Sequence, residues 1–210
     1  MFPTLYAIID ADSLRTSELA FAELLAESGV ELIQYRNKLI SSRKLIQISK
    51  DLVAQMRPHG VRVIVNDRPD IAALVGAGGV HVGQEDVPVE AARTICGPER
   101  WVGVSTHTLE QVREAAQTTA DYIAVGPIFA TATKQNSEPL VGPDFLRRAR
   151  ELTTKPLVGI GGITLERAEE TIRAGADSIA VASDLLRAEN PGLRAREYLQ
   201  RIARWEQQRT

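Results

Sequence analysis

Pro156-Leu157-Val158-Gly159-Ile160, a short apolar run, is followed by Gly161-Gly162-Ile163-Thr164. Leu165–Ala174 then shows helical apolar spacing and stops at Gly175-Ala176-Asp177, after which Ser178-Ile179-Ala180-Val181-Ala182 ends in Ser183-Asp184. A strand, a crossover helix of about ten residues and a second strand of the same character form a parallel βαβ unit. Both strands are apolar on consecutive positions, as a sheet covered on both faces requires.

The same unit recurs toward the N-terminus. Strands are expected at Leu5–Ile9, Glu31–Tyr35, Arg62–Asn66, Gly79–Val82, Trp101–Val104, Tyr122–Val125, Pro156–Ile160 and Ser178–Ala182, which makes eight. Helices are expected at Ser17–Ser28 ending at Gly29, at Ser41–Met56 before Pro58 and Gly60, and at Leu165–Ala174 ending at Gly175. Gly76-Ala77-Gly78-Gly79 and Gly175-Ala176-Asp177 read as short turns at the bottom of the sheet. An open doubly wound sheet would also alternate strands and helices. However, Ile9-Asp10-Ala11-Asp12 stands where a Gly-x-Gly-x-x-Gly turn would follow the first strand, and polar residues gather after at least six strands. The expected fold is therefore α/β, a (β/α)8 TIM barrel in a single domain over residues 1–210, with 191–210 as a C-terminal helix regular to about Arg204.

The chain is 44% hydrophobic and 25% charged with a net charge of -2, the composition of a globular enzyme. There is no basic surplus of the kind that duplex binding uses, so no nucleic-acid partner is expected. No apolar run reaches membrane-spanning length and the first residues lead directly into a strand, so no membrane partner and a cytoplasmic location are expected. Cys96 is the single cysteine and is read as a small apolar helix-end residue.

The chemistry gathers at the strand ends. Gln34, Arg36 and Lys38 alternate to one side of the second strand, and an Arg fork with a Lys cation suits phosphate oxygens. Asn66-Asp67-Arg68 and Gly83-Gln84-Glu85-Asp86 top the third and fourth strands. Asp67 and Asp86 supply the hard oxygen ligands that magnesium shares with a substrate phosphate, with helix N-capping as the alternative for each. His81 alternates into the barrel, where structural and catalytic roles both stay open. Ser105 can donate to a phosphate or ring substituent, and His107 is read as capping or lining the next loop. A long loop from Gly126 to Gly142 carries Thr131, Thr133 and Lys134, which would close over a phosphate. Gly161 and Gly162 after strand seven, with Ala182 and Ser183 after strand eight, offer backbone N–H groups to a phosphate monoester.

Taken in order, Gln34-x-Arg36-x-Lys38, Asn66-Asp67-Arg68, Gly79-Val80-His81-Val82-Gly83-Gln84-Glu85-Asp86, Gly103-Val104-Ser105-Thr106-His107, Gly126-Pro127-Ile128-Phe129-x-Thr131-x-Thr133-Lys134 and Gly159-Ile160-Gly161-Gly162-Ile163 resemble the thiamine phosphate synthase family over nearly the whole chain. The resemblance implies a transferase that joins hydroxymethylpyrimidine diphosphate to hydroxyethylthiazole phosphate, with Mg2+ as cofactor and diphosphate leaving before the thiazole attacks. It implies that Gln34, Arg36, Lys38, Asn66 and Lys134 hold the pyrimidine diphosphate and that Asp67 and Asp86 bind the metal. Ser105 would lie near the pyrimidine, and Thr131 and Thr133, with backbone around Gly161 and Ser183, would contact the thiazole phosphate. Arg36, Lys38, Ser105 and Lys134 are the residues expected to act in the catalytic step. Asn37, Ile9 and Tyr35 depart from the family's usual acid, Thr and Leu without removing a ligand. The resemblance also admits a homo-oligomer. The competing readings are a thiazole tautomerase-like barrel and a non-catalytic phosphate-binding barrel.

Overall fold

The computed structural model describes residues 2–130 and 139–209. Among them eight strands follow in chain order: β1 (Leu5–Asp10), β2 (Leu32–Arg36), β3 (Arg62–Asn66), β4 (Gly79–Val82), β5 (Trp101–Thr106), β6 (Tyr122–Val125), β7 (Leu157–Ile160) and β8 (Ser178–Val181). Each pairs in parallel with its neighbour in sequence. β8 returns to β1 through Leu5↔Ile179 and Tyr6↔Ala180, so the sheet closes into a barrel. The outer layer consists of α1 (Glu18–Ala26), α2 (Ser42–Met56), α3 (Pro69–Val75), α4 (Val89–Cys96), α5 (Leu109–Ala116), α6 (Gly142–Leu152) and α7 (Leu165–Arg173). A short α8 (Ser183–Leu186) follows the last strand, and α9 (Pro191–Arg209) ends the described chain.

The expected elements are all present, and their edges move for local reasons. Ser17 is outside α1 because its side chain caps it, accepting a bond from the Ala20 amide at 3.2 Å. β1 extends to Asp10 because Asp10 lies opposite Arg36 in the β1–β2 register. β2 starts and ends one residue later than expected, which brings Arg36 into the sheet. β5 continues to Thr106, opposite Val125, so Ser105 belongs to the sheet and not to a loop. β7 begins at Leu157, β8 ends at Val181, and α9 runs past Arg204 to Arg209.

Two apolar layers follow from strand alternation. Ile9, Ile33, Val65 and Val125 point outward and pack with Phe21, Leu52, Ile71 and other helix residues. Tyr6, Ile8, Leu32, Ile64, Tyr122, Ala124, Val158 and Ala180 fill the lumen. Fully burying one aliphatic side chain is worth about 1.5–3 kcal/mol, so these layers are what close the sheet. At the bottom, the Asp121 and Asp177 carboxylates accept from the amides of Val102 at 2.7 Å and Leu157 at 2.8 Å. Arg93 and Arg150 complete these two clamps. Cys96 ends α4 with its thiol buried against the Pro69 carbonyl, and burial pushes its pKa up, in keeping with an apolar role. Among the described residues no helix is long and apolar enough to cross a membrane.

Candidate active site

A cavity of about 480 Å³ opens at the C-terminal ends of the strands. Its mouth carries Asp10, Arg36, Asn66 and His107, its floor Tyr6, Gln34, His81 and Ser105, and its far side Gly161, Gly162, Ala182 and Ser183. Ile8, Ala124, Val158 and Ile160 form an apolar wall between them. The C-terminal end of the lumen is thus flanked by two chemically different rims.

The first rim is charged. Arg36 Nη1 donates to Asp10 Oδ1 at 3.0 Å, as their register demands, and Asp10 is only 3% exposed. Asp10 was not among the residues singled out from the sequence. Its signal was the alternation Tyr6, Ile8, Asp10, which sends all three into the lumen. Lys38 is half-exposed and pairs with Asp67 at 2.9 Å; Lys38, Asp67 and Asp86 are not among the residues lining the cavity and extend the charged rim outside it. Asp67 adopts φ +62°, a left-handed conformation that few residues besides glycine, Asn and Asp take up, and its amide donates to the His81 carbonyl at 2.8 Å.

Asp86 Oδ2 accepts from the Gly83 amide at 2.8 Å. Its carboxyl is held above the usual range by burial; the neighbouring Asp67 charge adds to the rise, while the Gly83 bond and Lys38 oppose it. Neither aspartate caps a helix: α3 is preceded by Arg68 and α4 by Pro88. Two adjacent carboxylates of this kind repel one another unless a cation lies between them, and Lys38 partly supplies it. Two neighbouring carboxylates are hard oxygen donors of the kind magnesium takes, with water and phosphate oxygens completing its shell; among the described residues no group of three acidic, His or Cys side chains is gathered for a metal.

The second rim is built from backbone. Gly161 and Gly162 adopt φ +96° and +63°, and a Cβ on Gly162 would lie 2.5 Å from the Ala130 carbonyl oxygen. Phe129 N donates to Gly161 O at 3.0 Å, which ties the segment after β6 to this loop. Arg167 of α7 donates to Gly162 O at 2.8 Å and places its guanidinium over the Phe129 ring. With these carbonyls engaged, the loop shape is set from behind. Ser183 opens α8 on the other side, and Tyr198 of α9 donates to Asp184 at 2.7 Å, holding that short helix in place. Gly162→Ala is expected to lower stability by about 2 kcal/mol or more, from the left-handed backbone and the clash together, as read by urea unfolding. A wild-type midpoint would refute this account of the loop.

The floor answers the histidine question. His81 Nε2 lies 2.8 Å from Ser105 Oγ and its Nδ1 3.0 Å from Tyr122 Oη, so His81 is an organising residue beneath the cavity. Gly103 allows this: a Cβ there would fall 2.0 Å from the Tyr122 ring. Thr108, not His107, caps α5; His107 lines the mouth with Nδ1 2.5 Å from the Gly126 carbonyl. Tyr6 and Tyr122 were not foreseen, because an aromatic residue in a strand reads as core. Thr131, Thr133 and Lys134 lie outside the described residues.

Residues 5–185 match the family model described as thiamine monophosphate synthase. The chain belongs to the thiamine monophosphate synthase family. The matched segment runs from the start of β1 into α8 and so contains both rims. Among relatives of this family, the thiamine-phosphate synthase of Koribacter versatilis is 50% identical over 204 residues, covering 94% of this chain and 95% of its own length. That of Chloroflexus aurantiacus is 43% identical over 194 residues, covering 92% and 89%. A solved thiamine phosphate pyrophosphorylase from Pyrococcus furiosus superposes with a TM-score of 0.88 at 33% identity, covering 96% of each chain.

Proposed function

We propose that this chain, acting as one catalytic domain over residues 1–210, joins 4-amino-2-methyl-5-hydroxymethylpyrimidine diphosphate to hydroxyethylthiazole phosphate. The products are thiamine monophosphate and diphosphate. The observation that carries this reading is the pair of unlike anion rims on one lumen within the family's matched segment. A diphosphate suits the charged rim of Arg36, Lys38, Asp67 and Asp86, and a phosphate monoester suits the amides around Gly161, Gly162, Ala182 and Ser183.

The chain's own residues then have distinct tasks. Asp10 engages one nitrogen of Arg36 and sets the plane of the guanidinium, leaving its other N–H groups for phosphate oxygens. Gln34 and Asn66 hold the pyrimidine diphosphate beside them, and Ser105 lies against the ring. Arg36 and Lys38, with Lys134, stabilise charge as the C–O bond to the diphosphate breaks and the electron pair departs with it. The remaining pyrimidine-methyl cation is captured by the thiazole ring nitrogen, which forms the new C–N bond. Ile8, Ala124, Val158 and Ile160 keep water from that cation. Thr131 and Thr133 complete the thiazole phosphate contacts. Asp67 and Asp86 would hold Mg2+, which when bound neutralises charge on the leaving diphosphate. The reading places the enzyme in the cytoplasm, with its two phosphorylated rings as partners and a second copy of the chain as a partner consistent with the family.

The test is product formation. With both phosphorylated rings and magnesium, the purified chain is expected to form thiamine monophosphate, and EDTA is expected to stop it. No product at high enzyme concentration refutes the proposal, and product that survives EDTA refutes the metal's part in it.

A further inference from the structure

Beneath the cavity four hydrogen bonds join five residues from five strands into one line. Gln34 Nε2 donates to Tyr6 Oη at 2.8 Å, Tyr6 Oη lies 2.9 Å from Tyr122 Oη, Tyr122 Oη 3.0 Å from His81 Nδ1, and His81 Nε2 2.8 Å from Ser105 Oγ. Tyr6 and Tyr122 are fully buried, and Gln34 and His81 nearly so. Both ends of the line, Gln34 and Ser105, face the cavity.

A phenol has one proton to give, so such a line has a direction. Tyr6 accepts from the Gln34 amide, and its buried proton finds an acceptor only if it goes to Tyr122, whose own proton then goes to His81 Nδ1. His81 then carries its proton on Nε2 and donates it to Ser105. The serine oxygen accepts that bond and keeps its own proton for a group in the cavity. Burial raises both phenols well above their ordinary pKa, so neither ionises and breaks the line. A hydroxyl that accepts a hydrogen bond is also a stronger donor in turn.

We infer that Tyr6, Tyr122 and His81 are positioning residues that aim the Ser105 hydroxyl proton into the cavity, so that this edge of the site selects a ring presenting a hydrogen-bond acceptor. The inference rests on the proposed function in placing the pyrimidine ring at Ser105. The same line turns the Gln34 carbonyl oxygen away from Tyr6, which makes it the acceptor of the pair. Gln34 and Ser105 together then match a ring edge that carries an amino donor and a ring-nitrogen acceptor. Ser105 and Gln34 touch the substrate in this arrangement; Tyr122 and His81 act through Ser105, and Tyr6 acts through both.

Two measurements test this. In the ligand-free protein labelled with 15N at histidine, the His81 signals, assigned by loss in His81→Gln, are expected to show a protonated Nε2 and a bare Nδ1. Protonated Nδ1 reverses the line and overturns the inference. In steady-state kinetics, Tyr122→Phe, which keeps the ring against Phe2 and Tyr6, is expected to lower kcat/KM for the pyrimidine diphosphate about tenfold. The KM for the thiazole phosphate should stay unchanged. In a Ser105→Ala background the same change should cost nothing further, whereas Tyr6→Phe should keep the part of its loss that runs through Gln34. Equal losses in both backgrounds, or a loss shared between both substrates, overturn the inference. If the wild-type protein forms no thiamine monophosphate, the functional reading fails on its own, and the tautomer measurement still decides the direction of the line.

Discussion

Asp86→Ala is expected to lower turnover, with both substrates and magnesium saturating, by about a hundred- to a thousandfold. Metal stabilisation of transition-state charge is worth several kcal/mol, and each 1.36 kcal/mol is a factor of ten. The carboxylate has two roles that the substitution would remove together: it accepts from the Gly83 amide, and it stands beside Asp67, whose charge helps hold its pKa up. Asp86→Asn separates them. The amide oxygen can still accept from Gly83 and preserve the turn, while the charge is gone. Loss of activity in both variants, with a raised magnesium requirement and an unaltered unfolding midpoint in Asp86→Asn, would assign the effect to the metal. Full activity in Asp86→Asn would remove Asp86 from that role. By contrast, Ser183→Ala should change thiazole phosphate affinity only mildly, since backbone amides supply most of that contact.

The second large effect concerns Arg36. Arg36→Met should reduce turnover about a hundredfold by removing a cation from the diphosphate rim, and it should also reduce stability by about 3 kcal/mol. The stability loss arises because Asp10, which is almost fully buried, would lose the charge that balances it; breaking one side of a buried pair leaves an uncompensated ion. Adding Asp10→Asn removes that ion. The double variant is expected to regain most of the unfolding free energy while its activity stays low. Urea unfolding and a thiamine monophosphate assay on the same samples read the two quantities separately. Recovery of activity together with stability would mean that Arg36 acts only through folding. No change in stability in the single variant would mean that the Asp10 pair contributes nothing to it.

The two rims differ in how far they could be read in advance. The glycine rim was legible because its chemistry is local: Gly161 and Gly162 lie next to each other and Ser183 follows its strand directly, so backbone N–H groups need only the right turn. The carboxylates after β3 and β4 were legible for a related reason, since parallel strands side by side bring their ends together. Their freedom from helix capping was not legible, because it depends on α3 and α4 beginning two and three residues beyond them, at Pro69 and Val89. Asp10 was overlooked for a different reason. A single acid at a strand end has no pattern of its own, and its meaning comes from the residue opposite it in the register.

In the sequence, apolar runs and helical spacings were enough to determine eight strand–helix units. The polar residues after at least six strands and the missing Gly-x-Gly-x-x-Gly turn were enough to determine a closed barrel with a functional face at the strand ends. The units follow from short-range periodicity and from the need to bury both faces of a parallel sheet. Only the tertiary structure decided which residues share the lumen. Asp10 with Arg36, Lys38 with Asp67, and the line from Gln34 through Tyr6, Tyr122 and His81 to Ser105 join residues that are far apart in the chain. Barrel closure and strand register create these contacts, together with the space that Gly103 leaves for the Tyr122 ring.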